Sequence, residues 1–334
     1  MAAGIDVLSE LLRPLRLHGI FYSKWIAGGH WGVQGADDSC AVLHYMLRNG
    51  CVISFGDGSE ALRLDTGDLA VFPYGTAHTF ADSEGRGRSV LPLKSLLPDT
   101  SPGSSLCVTV GSEEPDTEIL CASLHYDPAG EPSLYRALPR VIVLRRDILE
   151  GELLLQRTLE SLTTEIERTA PGTRLVTLRA FEMIFVLALR TALEQLAETS
   201  PALQALRHPG IGRALLAMYA GYHEPWTVES LSREAGMSRS AFAQTFRRLV
   251  GEPPARHLAV RRMQEARLLL ADPTVAQADI PERVGYRSAV GFHIAFRKEF
   301  GVTPGEYRAS RQAVAPMPRP RTPRAFRGRA FPAG

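Results

Sequence analysis

The stretch Thr227-Val-Glu-Ser-Leu-Ser-Arg-Glu-Ala-Gly-Met-Ser-Arg-Ser-Ala-Phe-Ala-Gln-Thr-Phe-Arg-Arg-Leu-Val250 decides the fold of the C-terminal third of this chain. Thr227 is a good N-cap for a helix over Val228–Ala235, and Gly236 can adopt the left-handed conformation that ends such a helix. Ser238 can then cap a second helix over Arg239–Val250. The stretch therefore predicts two short helices joined by a tight turn, which is a helix-turn-helix unit.

The unit occurs twice, because the framework residues of the first copy recur about fifty positions later. Gly236 and Ser238 correspond to Gly285 and Arg287 at a spacing of forty-nine. Between the copies, Ala259–Ala271 predicts a rigid connecting helix. Two such units at a fixed separation are typical of proteins that insert two recognition helices into DNA. The framework pairs at a spacing of fifty are Phe242 and Phe292, Phe246 and Phe296, Arg247 and Arg297, Gly251 and Gly301, and Pro254 and Pro304.

Charge is distributed unevenly along the chain, although the 334 residues carry a net charge of only +2. Residues 207–334 hold 21 Lys and Arg against 10 Asp and Glu, a net of +11, whereas residues 1–206 hold 17 against 26, a net of −9. A basic C-terminal part is the electrostatic signature of a phosphate-binding module. The alternative, a plain helical bundle, would leave the repeated phenylalanines as core and the arginines as solvated surface.

These motifs resemble the DNA-binding domain of the AraC/XylS family of bacterial transcriptional regulators. The resemblance covers roughly residues 210–308, and in the first copy it rests on Trp226–Phe242, Phe246 and Gly251-Glu-Pro-Pro. In the second copy it rests on Val284-Gly-Tyr-Arg-Ser, Phe292 and Phe296-Arg-Lys-Glu-Phe-Gly-Val-Thr-Pro-Gly-Glu-Tyr-Arg308. The resemblance implies that both units, called the first reader and the second reader, place a recognition helix in the major groove of double-stranded DNA.

The resemblance assigns DNA-binding roles residue by residue. In the first reader, Ser240, Ala243 and Gln244 match base-facing positions. Gln244 can make two hydrogen bonds to adenine, and Ala243 can touch a thymine methyl group. Positively charged side chains of this helix are better suited to phosphates, namely Arg239, Arg247 and Arg248. The DNA-binding candidates of the second reader are Arg287, Ser288, His293, Arg297 and Lys298.

The second reader departs from the family pattern. Small or apolar residues stand where polar or basic side chains are common, namely Ala289, Val290, Gly291 and Ile294. We therefore expect the first reader to supply most of the sequence discrimination, and the second to contribute mainly backbone and shape contacts. Packing of Val290 and Ile294 against the connecting helix is an open alternative. Pro281 replaces the usual alanine of the first helix, which is compatible with a helix only if Asp279 caps it and Pro281 lies in the first turn.

Residues 1–135 differ from the C-terminal part, because their composition is typical of an all-β domain. Closely spaced strands are predicted where short apolar stretches alternate with Gly, Asp, Ser and Pro. These stretches are Ala41–Leu47, Cys51–Phe55, Leu69–Phe72 and Ile119–Leu124. The fold class predicted for the chain is α+β multidomain, with an N-terminal cupin-like β-barrel, a helical linker and dimerisation region, and a C-terminal all-α double helix-turn-helix.

The cupin expectation rests on Gly67-Asp-Leu-Ala-Val-Phe-Pro-Tyr-Gly-Thr-Ala-His78, which reproduces the G-x5-P-x-G-x2-H motif of the cupin superfamily. A strand of this pattern enters a Pro/Gly turn and leaves with its histidine pointing into the barrel. Together with Leu8-Ser-Glu-Leu-Leu-Arg and His44-Tyr45, the segment resembles the sensor domain that precedes AraC-type readers in one subgroup. The resemblance implies a small-molecule effector pocket, whose candidate lining residues are His44, Tyr45, Phe72, Tyr74 and His78.

Cupin enzymes hold a metal with three histidines and a carboxylate, and this sequence matches that set only in part. His44 and His78 are plausible ligands, but Met46 stands at the second histidine position. Two histidines are an incomplete ligand set for a divalent ion. A polar effector pocket or buried core histidines are the open alternatives, and no resident cofactor is expected. A metal-dependent cupin enzyme fused to a DNA-binding module is the competing interpretation of the whole chain.

Residues 136–205 join the two parts. One helix presents an apolar face of Leu155, Leu159, Leu162 and Ile166, and a second is predicted from Arg174 to Glu198 after a break at Pro171-Gly172. The run Met183–Leu189 in this second helix is apolar on all sides, so it needs several partners. A helix pair shared between two subunits would supply them, and homodimerisation is therefore expected. Burial within one chain is the competing explanation.

The predicted domains are thus 1–135, 136–205 and 206–310, followed by a tail over 311–334. The tail has six arginines and no acidic residue, a composition that predicts disorder.

The four cysteines show no metal-binding spacing, which favours reduced thiols. No signal peptide or membrane-length apolar run is visible, so we expect a cytoplasmic regulator rather than an enzyme. The cysteines are Cys40, Cys51, Cys107 and Cys121.

Overall fold

A computed structural model describes residues 6–15, 19–35, 40–83, 90–96, 105–111, 113–126, 133–168 and 170–313. The predicted basic tail lies outside the described residues from position 314 onward. None of the described helices is both long and apolar enough to cross a membrane.

The N-terminal domain consists of two facing β-sheets. Its described strands are β1 (Gly19–Gly28), β2 (Gly32–Gly35), β3 (Cys40–Arg48), β4 (Gly50–Ser54), β5 (Leu62–Asp65), β6 (Leu69–Phe72), β7 (His78–Ala81), β8 (Leu91–Pro92), β9 (Ser105–Gly111), β10 (Thr117–His125) and β11 (Ile142–Leu144). One sheet has the order β11-β6-β3-β10-β1-β9, and the other has the order β5-β4-β7-β2-β8. The four strands predicted from apolar stretches are all present, and the predicted β-rich cupin region is confirmed.

Helices pack against the two sheets and form the rest of the described chain. The first group is α1 (Val7–Leu12), α2 (Leu93–Leu96), α3 (Ser133–Arg136), α4 (Arg146–Gly151), α5 (Leu153–Glu165), α6 (Thr173–Gln195) and α7 (Pro201–Arg207). The second group is α8 (Pro209–Ala220), α9 (Val228–Ala235), α10 (Arg239–Val250), α11 (Pro254–Ala271), α12 (Ile280–Arg283), α13 (Ala289–Phe300) and α14 (Pro304–Ala313). The first reader comprises α8–α10 and the second reader α12–α14, with α11 between them.

Local chemistry explains the helix boundaries of the first reader. Thr227 and Ser230 form a reciprocal capping box at the start of α9, and Gly236 ends it with φ of 65°. Ser238 accepts a hydrogen bond from the Ala241 N–H and so caps α10. The predicted bounds of α9 and α10 are confirmed. The connecting helix α11 begins at Pro254, five residues before the predicted start, because a proline at the first helical position needs no N–H partner.

Apolar side chains of the described residues are buried in three clusters. One lies between the two sheets and includes Trp25, Met46 and Phe72. A second, much larger cluster runs from the outer face of the first sheet through α5, α6 and α7 into α8, α9 and α10, where it ends on Phe242 and Phe246. A third joins α11 to the second reader around Phe292 and Phe296, and the half-buried Tyr222 of the first reader packs against it. The sensor domain and the first reader therefore share one core, and the second reader has its own.

Candidate nucleic-acid interface and sensor site

The recognition helix of the first reader, α10, is anchored by one face and presents the other to solvent. Phe242 and Phe246 are fully buried and their ring centroids are 5.5 Å apart. The predicted DNA-binding residues occupy the opposite side, where all are exposed except Ala243, which is half-buried. These residues are Arg239, Ser240, Ala243, Gln244, Arg247 and Arg248. A helix held in this way can place two polar side chains and three cations against a DNA groove.

The arginines of the C-terminal part fall into two groups that sequence alone does not separate. Those of the first group hold the fold together. Arg213 donates to the last carbonyls of α9, those of Glu234 and Ala235, at 2.9 and 2.8 Å. Arg262 donates to Tyr222 O and Glu224 O, and Arg308 to Leu270 O and Val275 O.

The second group of cations is exposed on the recognition helices or just before them. Arg239, Arg247 and Arg248 lie on α10, Arg297 and Lys298 on α13, and Arg287 in the turn before α13. Within the described part of the chain, none of the six forms an ion pair shorter than 4 Å. Their charge is available to an external anion such as a DNA phosphate.

A buried hydrogen-bonded chain fixes the first reader to α11. Tyr219 OH lies 3.1 Å from His257 Nε2, and His257 Nδ1 lies 2.8 Å from the Glu252 carboxylate. The Glu252 carboxylate accepts a hydrogen bond from His257 Nδ1–H, and the Tyr219 hydroxyl and His257 Nε2 share the second hydrogen bond. Burial raises the pKa of Tyr219, which keeps that hydroxyl a donor. These hydrogen bonds stiffen the start of the connecting helix α11.

The second reader begins differently from the prediction at Pro281. Pro281 does lie in the first turn of α12, but Asp279 makes no side-chain capping bond. The backbone of Asp279 is helical, with φ of −83° and ψ of −17°, because a 3-10 turn over Gln277–Asp279 runs directly into the helix. The Asp279 side chain is consequently not folded over the helix N-terminus. The expected cap is wrong, and the preceding turn takes its place.

The turn of the second reader contains one more residue than that of the first. Ser288, rather than Arg287, caps the recognition helix, since its hydroxyl accepts from Gly291 N–H at 3.1 Å. The predicted equivalence of Ser238 with Arg287 is therefore wrong, because Ser238 corresponds to Ser288 at a spacing of fifty. Ser288 is exposed but its hydroxyl already has this capping role. Arg287, His293, Arg297 and Lys298 are exposed around it.

Val290 and Ile294 lie on the outer surface of α13. They are 72% and 65% exposed, so the alternative that they pack against the connecting helix is wrong. The buried side of α13 is filled by Phe292 and Phe296, which leaves the other side to solvent. The second recognition helix therefore presents an apolar pair beside Arg297.

A close backbone contact joins the two readers. Gly285, in the turn between α12 and α13, has φ of 78°, and a Cβ built there would lie 2.5 Å from His223 O of the first reader. The same position lies 2.9 Å from the Arg262 guanidinium, which itself donates to the 222–224 backbone. Only glycine allows this approach without a shift of backbone. Sequence repetition identified Gly285 as a turn residue but not as a contact between readers.

The sensor domain contains a buried polar chain that the sequence did not predict. His44 Nδ1 lies 2.9 Å from Cys121 Sγ, and His44 Nε2 lies 2.8 Å from His78 Nε2. His78 Nδ1 lies 2.7 Å from Thr76 O, so this nitrogen must carry a proton. Neutral His78 then accepts at Nε2, His44 donates from Nε2, and the Cys121 thiol donates to His44 Nδ1.

Burial keeps the three hydrogen-bonded side chains, those of His44, His78 and Cys121, uncharged. It lowers the pKa of His44 well below its usual value, with the neighbouring His78 adding to the effect, and it also lowers the pKa of His78. It raises the pKa of the Cys121 thiol well above its usual value. Phe72 stacks on His78 with ring centroids 3.8 Å apart. Cys121 stands directly opposite His44 in the β3–β10 ladder, a pairing that only the strand register reveals.

The residues predicted to line one effector pocket do not all meet. His44, Phe72 and His78 pack together between the sheets, whereas Tyr45 follows His44 in β3 and therefore faces the other side. Tyr74 donates to Leu138 O at 3.2 Å. Tyr45 instead lines a cleft of about 270 Å³ between the first sheet and helices α4 and α5, together with Arg146, Glu150, Gln156 and Glu160.

The described residues do not fit the metal site of a cupin enzyme. No cluster of three or more His, Cys, Asp or Glu side chains in the described ranges is arranged to hold an ion. The two Nε2 atoms are 2.8 Å apart. That is closer than the roughly 3.3 Å that two nitrogens need when both bind one tetrahedral ion at ~2.0–2.1 Å. The weak candidates His44 and His78 are hydrogen-bonded to each other instead.

Comparisons with known proteins agree with this organisation. A family model described as Cupin matches residues 6–194, and one described as Helix-turn-helix domain matches residues 231–310. The chain is 26% identical to the HTH-type transcriptional regulator AlkR of Acinetobacter baylyi, over 91% of this chain and 99% of AlkR. It is 28% identical to the RCS-specific HTH-type transcriptional activator RclR of Escherichia coli, over 93% of this chain and 100% of RclR.

Among solved structures, the chain is similar to the DNA-binding domain of AdpA in complex with a target DNA. The identity is 33%, the match covers 31% of this chain and 94% of that domain, and the TM-score is 0.30. The two full-length relatives match more than nine-tenths of this chain, including the part that holds the two recognition helices.

Proposed function

This chain belongs to the AraC-type transcriptional regulators that carry an N-terminal cupin domain, and on that premise we propose a homodimeric, cytoplasmic regulator whose DNA binding responds to a small-molecule effector. Membership makes it a DNA-binding regulator of transcription. The finer parts of the proposal concern the residues that contact DNA, the effector site and the dimer surface.

One observation carries the DNA-contact proposal: both recognition helices are held by buried phenylalanines and present exposed cations. Helix α10 contains no acidic residue. The only one in α13, Glu299, is mostly buried and pairs with Arg256 of α11 at 2.7 Å. Because neither outer surface carries a free carboxylate, both helices are compatible with the phosphate-lined walls of a groove.

The direct test is selection of bound sites from random DNA with the full chain, followed by footprinting on genomic promoters. We expect one defined operator that non-specific competitor DNA does not displace. Its affinity should fall by a factor on the order of 10³ between 50 and 200 mM salt if about six cations contact phosphates. Binding that competitor DNA abolishes, or that salt leaves unchanged, would contradict the proposal.

Two variants of α10 separate base reading from phosphate binding. Gln244→Ala should flatten the preference at one base pair of the first half-site, at a cost of about 1–3 kcal/mol for the preferred base, because its bidentate contact is lost. Arg247→Ala should weaken binding to all sequences alike. Arg157→Ala on the exposed surface of α5 is the matched control and should change neither property. An unchanged base preference in Gln244→Ala would remove that residue from the interface.

For the effector, we propose the cleft lined by Tyr45 in place of the expected pocket between the sheets. It joins the cupin sheet to α4 and α5, which contact α6 and the shared core that reaches the first reader. Its charged lining of Arg146, Glu150 and Glu160 suits a polar ligand. Thermal-shift screening of polar metabolites should give a hit that Arg146→Ala abolishes and that Arg168→Ala, just after α5, retains. A hit that survives Arg146→Ala would place the effector elsewhere.

For the dimer, we propose the outer face of α6. The buried side chains of this helix include Phe181, Ile184 and Phe185, whereas Leu175, Val176, Met183 and Val186 remain exposed along the opposite side. A second copy of α6 would cover this apolar stripe. Sedimentation should show a dimer that the double variant Met183→Glu and Val186→Glu converts to a monomer. Val302→Glu, at an exposed apolar residue far along the chain, should leave the dimer intact.

A further inference from the structure

The repeat places Val290 and Ile294 at positions that are polar in the first reader. Phe242 and Phe246 correspond to Phe292 and Phe296 at a spacing of fifty, and all four are fully buried. The same spacing relates Ser240 to Val290 and Gln244 to Ile294. The two base-facing polar positions of α10 are therefore occupied by branched aliphatic side chains on α13.

The described part of the chain leaves most of the surface of these two apolar side chains uncovered. They lie four residues apart on one face of α13 and are 72% and 65% exposed. Exposed branched aliphatics gain nothing from water, and they form a rigid pair because β-branching restricts their χ1 angles. Such a pair is suited to a fixed apolar target.

The surroundings of the pair indicate that the target is DNA. Arg297 and Lys298 follow one turn later on the same helix, and Arg287 precedes it, all three exposed. An apolar protein surface would leave these three cations without opposite charges, whereas the phosphates that flank a DNA groove would pair with them. The apolar group that the major groove offers is the C5-methyl group of thymine.

We propose that Val290 and Ile294 read thymine methyl groups in the half-site of the second reader. This inference rests on the DNA-binding function proposed above and gives the second reader its own specificity. It replaces the expectation that this reader contributes mainly backbone and shape contacts. The first reader selects bases by hydrogen bonds, and the second selects them by apolar contact.

The experiment removes the methyl groups without changing base pairing. Each thymine of the selected operator is replaced in turn by deoxyuridine, and the affinity of the full chain is measured by competition. We expect one or two positions in the second half-site where the loss of the methyl group weakens binding about fourfold, the factor that corresponds to burying one methylene. Deoxyuridine elsewhere in that half-site should have no effect.

The double variant Val290→Ala and Ile294→Ala is the protein side of the same cycle. It should distinguish thymine from deoxyuridine operators much less than the wild type does, because the truncation removes the Cγ and Cδ atoms that reach furthest from the helix. Alanine favours helix at both exposed positions, so the variant should fold. Val302→Ala, at another exposed apolar residue, is the control and should keep the wild-type thymine preference.

The possible outcomes separate this inference from the function on which it rests. If no operator is selected, the DNA-binding proposal itself fails. If an operator is found but deoxyuridine never matters in the second half-site, the methyl inference is overturned and the DNA-binding function stands. If the double variant keeps its DNA affinity and thymine preference but loses a sedimenting complex, the apolar pair is a protein contact and the inference is equally overturned.

Discussion

The two readers have the same framework and differ in what surrounds it. In both, two buried phenylalanines anchor the recognition helix, a glycine with positive φ ends it, and a serine caps its start. The first reader shares its core with the sensor domain, whereas the second is built around a separate cluster. Their outer surfaces differ as well, because Ser240 and Gln244 of the first correspond to Val290 and Ile294 of the second.

The comparison of the two readers shows which positions of a duplicated unit are constrained by folding. Changes to the caps, turn glycines or anchor phenylalanines destabilise the helix pair, which accounts for their presence in both copies. Surface positions of the recognition helix have no such constraint and can acquire different chemistry. The shared core also means that any rearrangement in the sensor reaches the first reader directly, and the second only through α11 and the contact at Gly285.

The largest expected effect comes from removing one anchor in each reader. Phe246→Ala and Phe296→Ala should each cost about 3–5 kcal/mol locally, since each leaves a cavity in a packed core. Loss of Phe246 should raise hydrogen exchange in α7 to α10, because they belong to the shared cluster. Loss of Phe296 should raise exchange only in α11 to α14. Segment-resolved exchange by mass spectrometry measures both.

Val302→Ala is the control for this pair, as it changes an exposed apolar residue of the second reader. If Phe296→Ala raised exchange in α5 to α10 as strongly as in α13, the three clusters would not be independent. The structural distinction between the two readers would then have no energetic meaning.

The distribution of cores illustrates what sequence could predict. Helix caps and glycine turns are local signals, so α9, α10 and the strand positions followed directly from residue patterns. The start of α11 at Pro254 and the turn before α12 were missed, because both depend on how one element continues into the next. Which helices share a core depends on packing between segments distant in sequence, and periodicity carries no such information.

The second prediction concerns the contact between readers. Gly285→Ala and Gly301→Ala both place a Cβ on backbone with positive φ, at 78° and 74°, and should each cost about 1–2 kcal/mol of local stability. Only Gly285→Ala also meets backbone, because His223 O would lie 2.5 Å away. The second reader must then shift relative to the first, and operator affinity should fall at least about tenfold.

Gly301 has no atom within 4 Å of the corresponding Cβ, which makes Gly301→Ala the matched control for strain alone. Chemical denaturation and operator binding are measured for both variants. Equal affinities for the operator would show that the readers bind independently and that the Gly285 contact does not set their spacing.

The candidate site was predictable to a different degree in each half of the chain. The DNA-contact residues of α10 were assigned from the family resemblance, and the structure exposes all but the half-buried Ala243, because Phe242 and Phe246 occupy the buried side of the helix. The arrangement of the candidate pocket residues was not predictable in this way. The side of the sheet that a strand residue faces, and its neighbour on the adjacent strand, both depend on strand register. The side chains of Tyr45 and His44 consequently lie on opposite faces of the sheet, and Cys121 contacts His44 although the two are 77 positions apart in sequence.

The smallest expected effect distinguishes the capping boxes of the two readers by pH. In the first, Thr227 pairs with Ser230, which does not titrate. In the second, Glu306 accepts from the N–H and hydroxyl of Thr303 at 2.7 and 2.9 Å, and these bonds lower the pKa of Glu306 from its ordinary 4.5. A depressed pKa means that the ionised form stabilises the folded state above pH 4.5 and that this contribution is lost as pH falls below it. The protection factor of α14, which corrects for the intrinsic slowing of amide exchange in acid, should therefore fall on acidification more than that of α9. Glu306→Gln should remove the difference, because an amide still accepts but does not titrate, and a pH effect that persists in this variant would have to come from other carboxylates.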